Sequence, residues 1–536
     1  MKQDTPCIPG RRRRVASLFI FLVGSFLATA EAATSEERLN VLLIVADDLS
    51  YDSLGYAGGV APDVTPRIDA LREQSVSFEQ AFATVSVCQP SRQSMMTGLM
   101  PHNYGSVGFF PIKDKVATLS SVLGDAGYVT AVIHKVDHML PHELFKWDFT
   151  NESLGLLQGE GYVGRDPQNF VKGITKVIAA ADAEEAPFFV VANSADPHRP
   201  FHGDPLPKNG VFWGDEAIPL PDPSRVYSPD EVNVPADLVD LPGVRQDLSR
   251  YASSVRRLDD MVGACLDTLE KSGKTDSTIV IFVSDNGMPL PFGKFETYFS
   301  SNRTPFIMHL PGAFGTSKVD DSHLVSLLDI FPTVLDYVGV AAPDKLDGQS
   351  LKPLVEDRAA EWRDEIVMLR YEDIFFRDGV AALLRSDPDG ISKLKKNGWV
   401  PRPDHTHEGT YSRNKQQRCY FDGRFAYIYN DWYDPKGLEI NPLGVGVPYG
   451  DKSLRSMKKA VDTNPDAAAR VEQYLLRFQE ELYDWTKDPA SRVNLVDNPE
   501  YASELKAFRG KLLKWMKANN DALVTNYEET IGDGSE

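Results

Sequence analysis

The stretch NVLLIVADDLS, residues 40–50, decides the fold. Its apolar and β-branched run from Val41 to Ala46 predicts a buried strand that ends abruptly at Asp47 and Asp48. Three later stretches have the same layout: GYVTAVIHKVDH at 127–138, APFFVVANSADPH at 186–198 and STIVIFVSDNG at 277–287. Helical patterns of ordinary length separate them. This alternation predicts an α/β fold with a mainly parallel sheet.

Charged, amide or imidazole side chains follow each predicted strand. Ligands bind at the carboxyl ends of strands in open parallel sheets, so these groups predict one shared site. Any one of them alone would also fit a helix cap or a turn. Oxygen donors that suit a hard cation such as Ca2+ or Mg2+ are Asp47, Asp48, Asp285 and Asn286. Cationic or proton-carrying groups that suit sulfate or phosphate are Arg92, Lys135, His138, His198 and Lys294.

The composition limits the possible partners. The 536 residues carry a formal net charge of -20, which argues against nucleic-acid binding because an acidic surface repels phosphates. An anionic substrate therefore requires a local basic pocket. The length predicts one large and one smaller domain.

The N-terminus has the layout of a secretory signal. Basic residues Arg11 to Arg14 precede an apolar run from Val15 to Leu27 and small residues from Ala28 to Ala33. A membrane anchor is the alternative, but the run is shorter than the roughly 20 residues that span a bilayer. We expect a signal peptide at 1–32, no stable membrane insertion, and a periplasmic, secreted or lysosomal protein.

Three cysteines remain after the signal peptide, an odd number for an exported chain. Cys265 lies on the apolar face of a helical pattern and Cys419 begins a strand-like run, so both are interpreted as packing residues. Cys88 precedes Pro-Ser-Arg where a helix is predicted to begin. The helix N-terminus and Arg92 predict a lowered thiol pKa for Cys88. An ordinary buried cysteine in a strand-to-helix turn is the alternative.

The segment CQPSR at 88–92, followed by Thr97 and Gly98, resembles the C-x-P-S-R motif of type I sulfatases. In that family a formylglycine-generating enzyme oxidises the cysteine to formylglycine. The resemblance extends from about Asn40 to the ELYDWTKDPASRVNLVDNPE stretch that begins at Glu481. The segments 187–201 and 284–294 are similar to heparan N-sulfatases. The HKVDH segment instead resembles iduronate 2-sulfatases, and its His134 stands where a glycine is usual.

The resemblance implies a fold and a set of roles. It implies an alkaline-phosphatase-like catalytic domain at 38–362 and a smaller C-terminal α+β domain with an antiparallel sheet at 363–536. Cys88 would be the formylglycine and Arg92 the stabiliser of its hydrated aldehyde. The implied metal ligands are Asp47, Asp48, Cys88, Asp285 and Asn286. The implied groups that bind sulfate and move protons are Lys135, His138, His198 and Lys294. His102 and His134 are expected to contact substrate, and for His102 a structural role in its loop is the alternative.

The implied activity is hydrolysis of sulfate esters or N-sulfates of glycosaminoglycan-like sugars, with Ca2+ or Mg2+ as cofactor. A phosphonate or phosphate ester hydrolase of the same superfamily is the nearest alternative. A catalytically silent glycan-binding protein on the same frame is the other. The segment from Asp387 to Gln417 is expected to be a surface loop that could line the substrate cleft.

Overall fold

The computed structural model describes residues 38–156, 163–204, 220–312, 317–357, 361–371, 416–431 and 452–532. The predicted signal peptide and nearly all of the predicted loop at 387–417 lie outside the described residues. Residues from Leu39 onward belong to one unit. Within the described ranges, no helix combines the length and apolarity needed to cross a membrane.

The strands of the described residues, numbered in chain order, are β1 Asn40–Asp47, β2 Val76–Phe78, β3 Ala81–Phe82, β4 Val129–Ile133, β5 Phe188–Pro197, β6 Thr278–Ser284, β7 Phe306–His309, β8 Lys318–Asp320, β9 Val325–Ser326, β10 Ile366–Arg370, β11 Gln417–Phe421, β12 Phe425–Asn430 and β13 Glu480–Asp484.

The helices of the same residues are α1 Pro66–Glu73, α2 Cys88–Thr97, α3 Leu119–Asp125, α4 His142–Phe145, α5 Asn151–Leu154, α6 Pro167–Ala183, α7 Pro242–Lys271, α8 Phe299–Asn302, α9 Ile330–Val338, α10 Lys352–Val355, α11 Lys452–Ala460, α12 Pro465–Leu476, α13 Ala502–Ala518 and α14 Val524–Ile531. Short 3-10 turns lie at Tyr51–Ser53, Gly55–Ala57, Pro101–Asn103, Val136–His138, Thr275–Ser277, Leu327–Asp329 and Pro499–Tyr501.

The central sheet has the order β4-β5-β1-β6-β7-β2-β8. The first four of these strands are mutually parallel, and they are the four strands predicted from polar residues at their ends. β1 lies in the middle, paired with β5 on one side and β6 on the other. Their carboxyl ends therefore meet at one edge of the sheet, and the predicted α/β architecture is confirmed.

Alternate residues of β1 point to opposite faces of the sheet because side chains alternate along a strand. Leu42 and Ile44 belong to the core cluster that contains α6 and α7. Val41 and Leu43 belong to the cluster formed with α2, α3 and α9. Helices thus cover both faces, which explains why the strands are almost continuously apolar. Cys265 is fully buried in α7, as predicted for a packing residue.

The second sheet is antiparallel, with the order β10-β11-β12-β13. One of its faces, including Met368 and Ile428, joins the core cluster of α6 and α7. The other face, including Leu369 and Tyr427, packs on α13. The predicted antiparallel sheet with a packed helix is confirmed. The boundary between residues 362 and 363 stays a prediction.

Candidate active site

The carboxyl ends of β1 and β6 bring the four predicted oxygen donors together. Asp48 donates its backbone N–H to Asp285 Oδ1 at 3.1 Å. The amide of Asn286 donates to Asp48 Oδ1 at 2.8 Å. Asp47 and these three residues are fully buried. Asp48 has a left-handed backbone (φ 69°), a strained conformation that turns its side chain out of the strand register.

Cys88 is the first residue of α2, directly beside this group. Ser91 of the same turn donates its hydroxyl to the Asp285 carbonyl at 2.6 Å, and Tyr104 donates to the Pro90 carbonyl at 2.9 Å. One ligand atom from each of Asp47, Asp48 and Cys88 lies within 4.8 Å of the others. The Pro-Ser-Arg segment therefore has a structural purpose: it fixes the start of α2 against the end of β6.

Arg92 lies beneath the site, one turn along α2 and 1 % exposed. Its Nε donates to Asp285 Oδ2 at 2.9 Å, and its second terminal nitrogen lies 2.7 Å from the same oxygen. Its other terminal nitrogen donates to Asn193 Oδ1 at 2.5 Å. Asn193 in turn donates to the carbonyls of Ile133 and His134. Arg92 therefore connects the ends of β6, β5 and β4.

The turn after β4 places Lys135 and His138 at the site. Lys135 Nζ lies 2.6 Å from Asp47 Oδ2. His138 is part-buried with its ring edge-on to Phe109, and its Nδ1 has no hydrogen-bond partner within the described ranges of the chain. His134 and Lys135 both have left-handed backbones, at φ 58° and 54°. A glycine would suit position 134 for that reason, and His134 adopts the conformation without being one.

His198 follows β5 and faces Asp48 across the site. Its Nδ1 lies 2.5 Å from the Arg199 carbonyl oxygen, so this nitrogen carries the proton and donates. Its Nε2 lies 3.8 Å from Asp48 Oδ2. The backbone carbonyl of His198 accepts from Arg165 at 2.8 Å. The tautomer therefore leaves Nε2 as the nitrogen directed at the site.

Lys294, which follows β6, is a third cation of the site beside Arg92 and Lys135. Its Nζ donates to Asp48 Oδ1 at 2.5 Å and lies 3.2 Å from Cys88 Sγ. The residue is 6 % exposed. Lys294 thus bridges the oxygen donors and the thiol.

The donor set fits a hard divalent cation. Among the residues that the structure describes, buried Asp48 Oδ2 and Asn286 Oδ1 have no hydrogen-bond partner, although buried polar oxygens normally have one. The Asp47 carboxylate adds two buried oxygens, which meet Lys135 and Arg92 only as ion pairs. Carboxylate and amide oxygens are the ligands that Ca2+ and Mg2+ prefer.

Comparison with known proteins agrees with this geometry. The model of the family described as Sulfatase matches residues 39–340, which is more than half of the chain. The chain belongs to the sulfatase family. Sulfatases are hydrolases of sulfate esters or N-sulfates, and the predicted enzyme class is confirmed. The chain is 30% identical to N-sulphoglucosamine sulphohydrolase of Homo sapiens over 512 residues, covering 90% of this chain and 91% of the human protein.

Two solved structures share the fold of this sulfatase. One, in complex with its substrate D-glucosamine-2-N,6-O-disulfate, has a TM-score of 0.59 at 18% identity and covers 93% of this chain and 100% of its own. The other is the phosphonate monoester hydrolase of Agrobacterium radiobacter, with a TM-score of 0.57 at 20% identity and coverage of 90% and 96%. At these identities the likeness shows the fold alone.

The pKa of the Cys88 thiol differs from the one that the sequence predicts. Burial raises the pKa of the Cys88 thiol to about 12, and Lys294 opposes this shift without reversing it. The carboxylates of Asp47 and Asp48 raise the pKa further. The prediction of a lowered pKa is therefore wrong, because desolvation and three nearby carboxylates outweigh the helix N-terminus.

Burial and the charges of the site also shift the pKa values of the neighbouring groups. Burial lowers the pKa of His198 to about 4, although Asp48 and Asp47 act in the opposite direction. Burial alone would lower the pKa of Lys294, but Asp48 raises it above its usual range. Burial alone would raise the pKa of Asp47, but Lys135 and the other cations hold it well below its usual range.

The two additional histidines differ in their positions. His134 is buried against Gly164, where an added Cβ would lie 2.5 Å from His134 Nδ1. It therefore lies close to the site but faces the interior. The ring of His102 lies 3.1 Å from the Tyr371 hydroxyl and packs edge-on to Trp515. These contacts place His102 against the C-terminal part of the sulfatase, and a substrate contact by either histidine stays a prediction.

Two residues that organise the site were not predicted as site residues. Asn193 connects Arg92 to the end of β4, and Ser91 connects α2 to the end of β6. Asn193 interrupts the apolar run FFVVAN inside a buried strand, and a buried amide requires partners. This polar residue within an apolar run is the sequence feature from which Asn193 could have been predicted as a site residue.

Proposed function

We propose that this sulfatase hydrolyses sulfate esters or N-sulfates of glycosaminoglycan-like glycans through a formylglycine at position 88. The position of Cys88 carries the proposal. Its sulfur lies 3.2 Å from Lys294 Nζ, beside the Asp47 and Asp48 carboxylates at the start of α2. A formylglycine-generating enzyme would be the partner that converts it.

The metal would be held by Asp47, Asp48, Asp285 and Asn286, next to residue 88. Ca2+ is the proposed ion and Mg2+ the alternative, since both take these oxygen ligands. A divalent ion bound there supplies a Lewis acid that polarises sulfate oxygens. Arg92 holds Asp285 in its buried position through two contacts. Arg92 would also stabilise the hydrated aldehyde of residue 88.

The remaining polar groups would bind sulfate and move protons. Lys135 pairs with Asp47, and Lys294 pairs with Asp48. Their ammonium groups would hold sulfate oxygens and offset the charge that develops in the transition state. His198 directs Nε2 at the site and would exchange a proton with the leaving group. One hydroxyl of the hydrated aldehyde at residue 88 would attack sulfur, and the second would lose its proton as sulfate leaves. His138, whose buried Nδ1 has no partner in the described part of the chain, would take that proton.

The substrate proposal rests on the human relative. That protein is named for N-sulphoglucosamine, and the identity extends over nine tenths of this chain. N-sulfated glucosamine is therefore the first compound to test, ahead of O-sulfated sugars. The export predicted from residues 1–32 and a separate C-terminal domain at 363–536 complete the proposal. Export would place the enzyme in the periplasm, the medium or a lysosome.

The first experiment is mass spectrometry of the tryptic peptide from Glu73 to Arg92, from protein made together with the converting enzyme. We expect a mass that matches an aldehyde in place of the Cys88 thiol. Sulfate release from N-sulfoglucosamine and an aryl sulfate is then compared with phosphate release from an aryl phosphate and with cleavage of an aryl phosphonate ester. The Cys88→Ser variant is the control, because it keeps the size of the side chain and cannot form the aldehyde by this conversion.

The outcomes separate the alternatives. An unmodified thiol in an active enzyme would reject the formylglycine mechanism. Faster turnover of the phosphate ester or the phosphonate ester would favour the alternative of a phosphonate or phosphate ester hydrolase. Complete conversion without turnover of any compound would favour a glycan-binding role. Release of sulfate by the Cys88→Ser variant at the wild-type rate would contradict the role of residue 88.

A further inference from the structure

The loop that carries Lys294 has a strained backbone. Phe292 and Phe295, on either side of Lys294, both have left-handed conformations, with φ of 66° and 61°. Bulky residues adopt this conformation only where the surrounding structure enforces it. The position of Lys294 Nζ beside Cys88 and Asp48 therefore depends on what holds the loop.

One anchor is Ser86, two residues before Cys88. The Phe295 backbone N–H donates to the Ser86 carbonyl at 3.0 Å. The Glu296 N–H donates to Ser86 Oγ at 3.0 Å, and Ser86 Oγ donates to the Glu296 carbonyl at 2.5 Å. These three bonds align the backbone after Lys294 with the strand-to-helix turn that presents Cys88.

The second anchor is the Glu296 side chain, which is 1 % exposed. Its two carboxylate oxygens lie 2.9 Å from an Arg370 terminal nitrogen and 2.6 Å from an Arg477 terminal nitrogen. Arg370 ends β10 and Arg477 follows α12, so both belong to the C-terminal part of the chain. Arg477 also donates to the Tyr298 hydroxyl at 2.6 Å, within the same loop region.

We propose that Glu296 is a positioning residue that, through Arg370 and Arg477, holds Lys294 at its place between Cys88 and Asp48. A buried ion pair is weak evidence for stability, since apolar residues of similar volume often stabilise as well or better. The two ion pairs of Glu296 instead fix the orientation of its side chain and of the loop that carries Lys294. The inference rests on the proposed function, because it uses Lys294 as a group that binds sulfate. It also gives the C-terminal sheet a part in the chemistry.

Kinetics provide the first test. In Glu296→Gln, kcat is expected to fall about 10- to 100-fold with a small change in KM, because a misplaced reacting group costs about that much. Lys294→Met is expected to lose more, and the double variant no more than Lys294→Met alone, because the two residues act through one group. The matched control is Glu480→Gln, which is expected to retain the wild-type kcat. Glu480 lies on β13, and its carboxylate pairs with Arg509 and accepts from the Tyr427 hydroxyl.

A second test needs no activity. Crystal structures of the wild type, Glu296→Gln and Glu480→Gln are compared, all from protein made without the converting enzyme. Lys294 Nζ lies 3.2 Å from Cys88 Sγ and 2.5 Å from Asp48 Oδ1. In Glu296→Gln we expect Lys294 Nζ to move out of hydrogen-bond distance of both atoms, whereas in Glu480→Gln both contacts are expected to stay.

The two tests fail in different ways. Both Lys294 contacts at their wild-type distances in Glu296→Gln would overturn the positioning role whatever the substrate. Loss of the contacts together with a displaced β10 and α12 would overturn it in favour of a purely structural role. If Glu296→Gln does not fold, Arg370→Gln removes one of the two partners and is judged by the same distances. Failure of the wild-type enzyme to release sulfate would reject the proposed function without changing these distances.

Discussion

The loop that carries His198 is held by a buried triad, and replacing its central carboxylate tests how much that triad contributes. Asp196 accepts from Arg257 Nε at 2.7 Å and from a terminal nitrogen at 2.9 Å. It also accepts from Arg165 Nε at 3.2 Å. The side chains are at most 2 % exposed. Asp196→Asn keeps the shape and removes the charge that two buried guanidinium groups share.

The expected loss follows from that burial. Breaking a buried ion pair by removing one partner costs about 3–5 kcal/mol, because the remaining charge is left uncompensated. Unfolding entropy of about 2.1 cal/mol/K per residue gives about 1 kcal/mol/K for roughly 500 residues, so the melting temperature should fall by about 3–5 °C. Arg165 also donates to the His198 carbonyl, so turnover should fall as well.

Thermal unfolding of Asp196→Asn and wild type, measured side by side, checks the magnitude. The control is Asp222→Asn, whose carboxylate accepts from His202 but is 87% exposed. An exposed pair contributes about 0–1 kcal/mol, so the control should melt within about 1 °C of wild type. An Asp196→Asn midpoint no lower than that of the control would refute the reasoning, because the triad would then contribute no more than a surface pair.

Three further predictions use other parts of the chain. Gly164→Ala should destabilise by about 1–3 kcal/mol, as measured by denaturant unfolding, because its Cβ would lie 2.5 Å from His134 Nδ1 and 2.8 Å from the Ala195 nitrogen. Burial alone would raise the pKa of Asp204, but Lys452, the Phe201 N–H and Arg199 hold it below its usual value. Its stabilisation should be complete above the unfolded pKa of about 3.9 and lost as pH falls below it, so the melting difference between wild type and Asp204→Asn should shrink between pH 5 and pH 3. EDTA should lower the melting temperature and Ca2+ restore it, since a ligand at about 100 times its Kd stabilises by about 2.7 kcal/mol.

Much of the fold could be predicted because polar residues at the ends of apolar runs indicate parallel strands that share one edge of a sheet. The run predicted from Val41 to Ala46 is β1, Asn40–Asp47. β4 ends at Ile133 and β6 ends at Ser284, each directly before its polar residues, whereas β5 continues through its polar segment to Pro197. Polar side chains at the ends of buried parallel strands have nowhere to lie except the shared edge. The convergence of Asp47, Asp48, Asp285 and Asn286 follows from that topology.

The supporting contacts could not be predicted because they depend on tertiary packing. Nothing local to Glu296 indicates that its carboxylate meets Arg370 and Arg477, which lie 74 and 181 positions further along the chain. The Cys88 pKa was predicted with the wrong sign for the same reason. Helix position can be predicted from the sequence, whereas burial and the distances to carboxylates cannot.

The charges of the site explain how a protein with a net charge of -20 can bind an anion. The sequence predicted oxygen donors for a metal together with a basic shell, and the structure places three carboxylates, Asp47, Asp48 and Asp285, among three cations. The cations are Arg92, Lys135 and Lys294, so these side chains together are close to neutral. A divalent cation on the carboxylates would add two positive charges, which the single charge of a sulfate ester would offset in part and free sulfate, a dianion, in full. Because binding free energies are reciprocally coupled, each ion should then raise the affinity of the site for the other. Attraction for sulfate would thus come from the balanced pocket together with its metal, and the acidic remainder of the surface would not have to change.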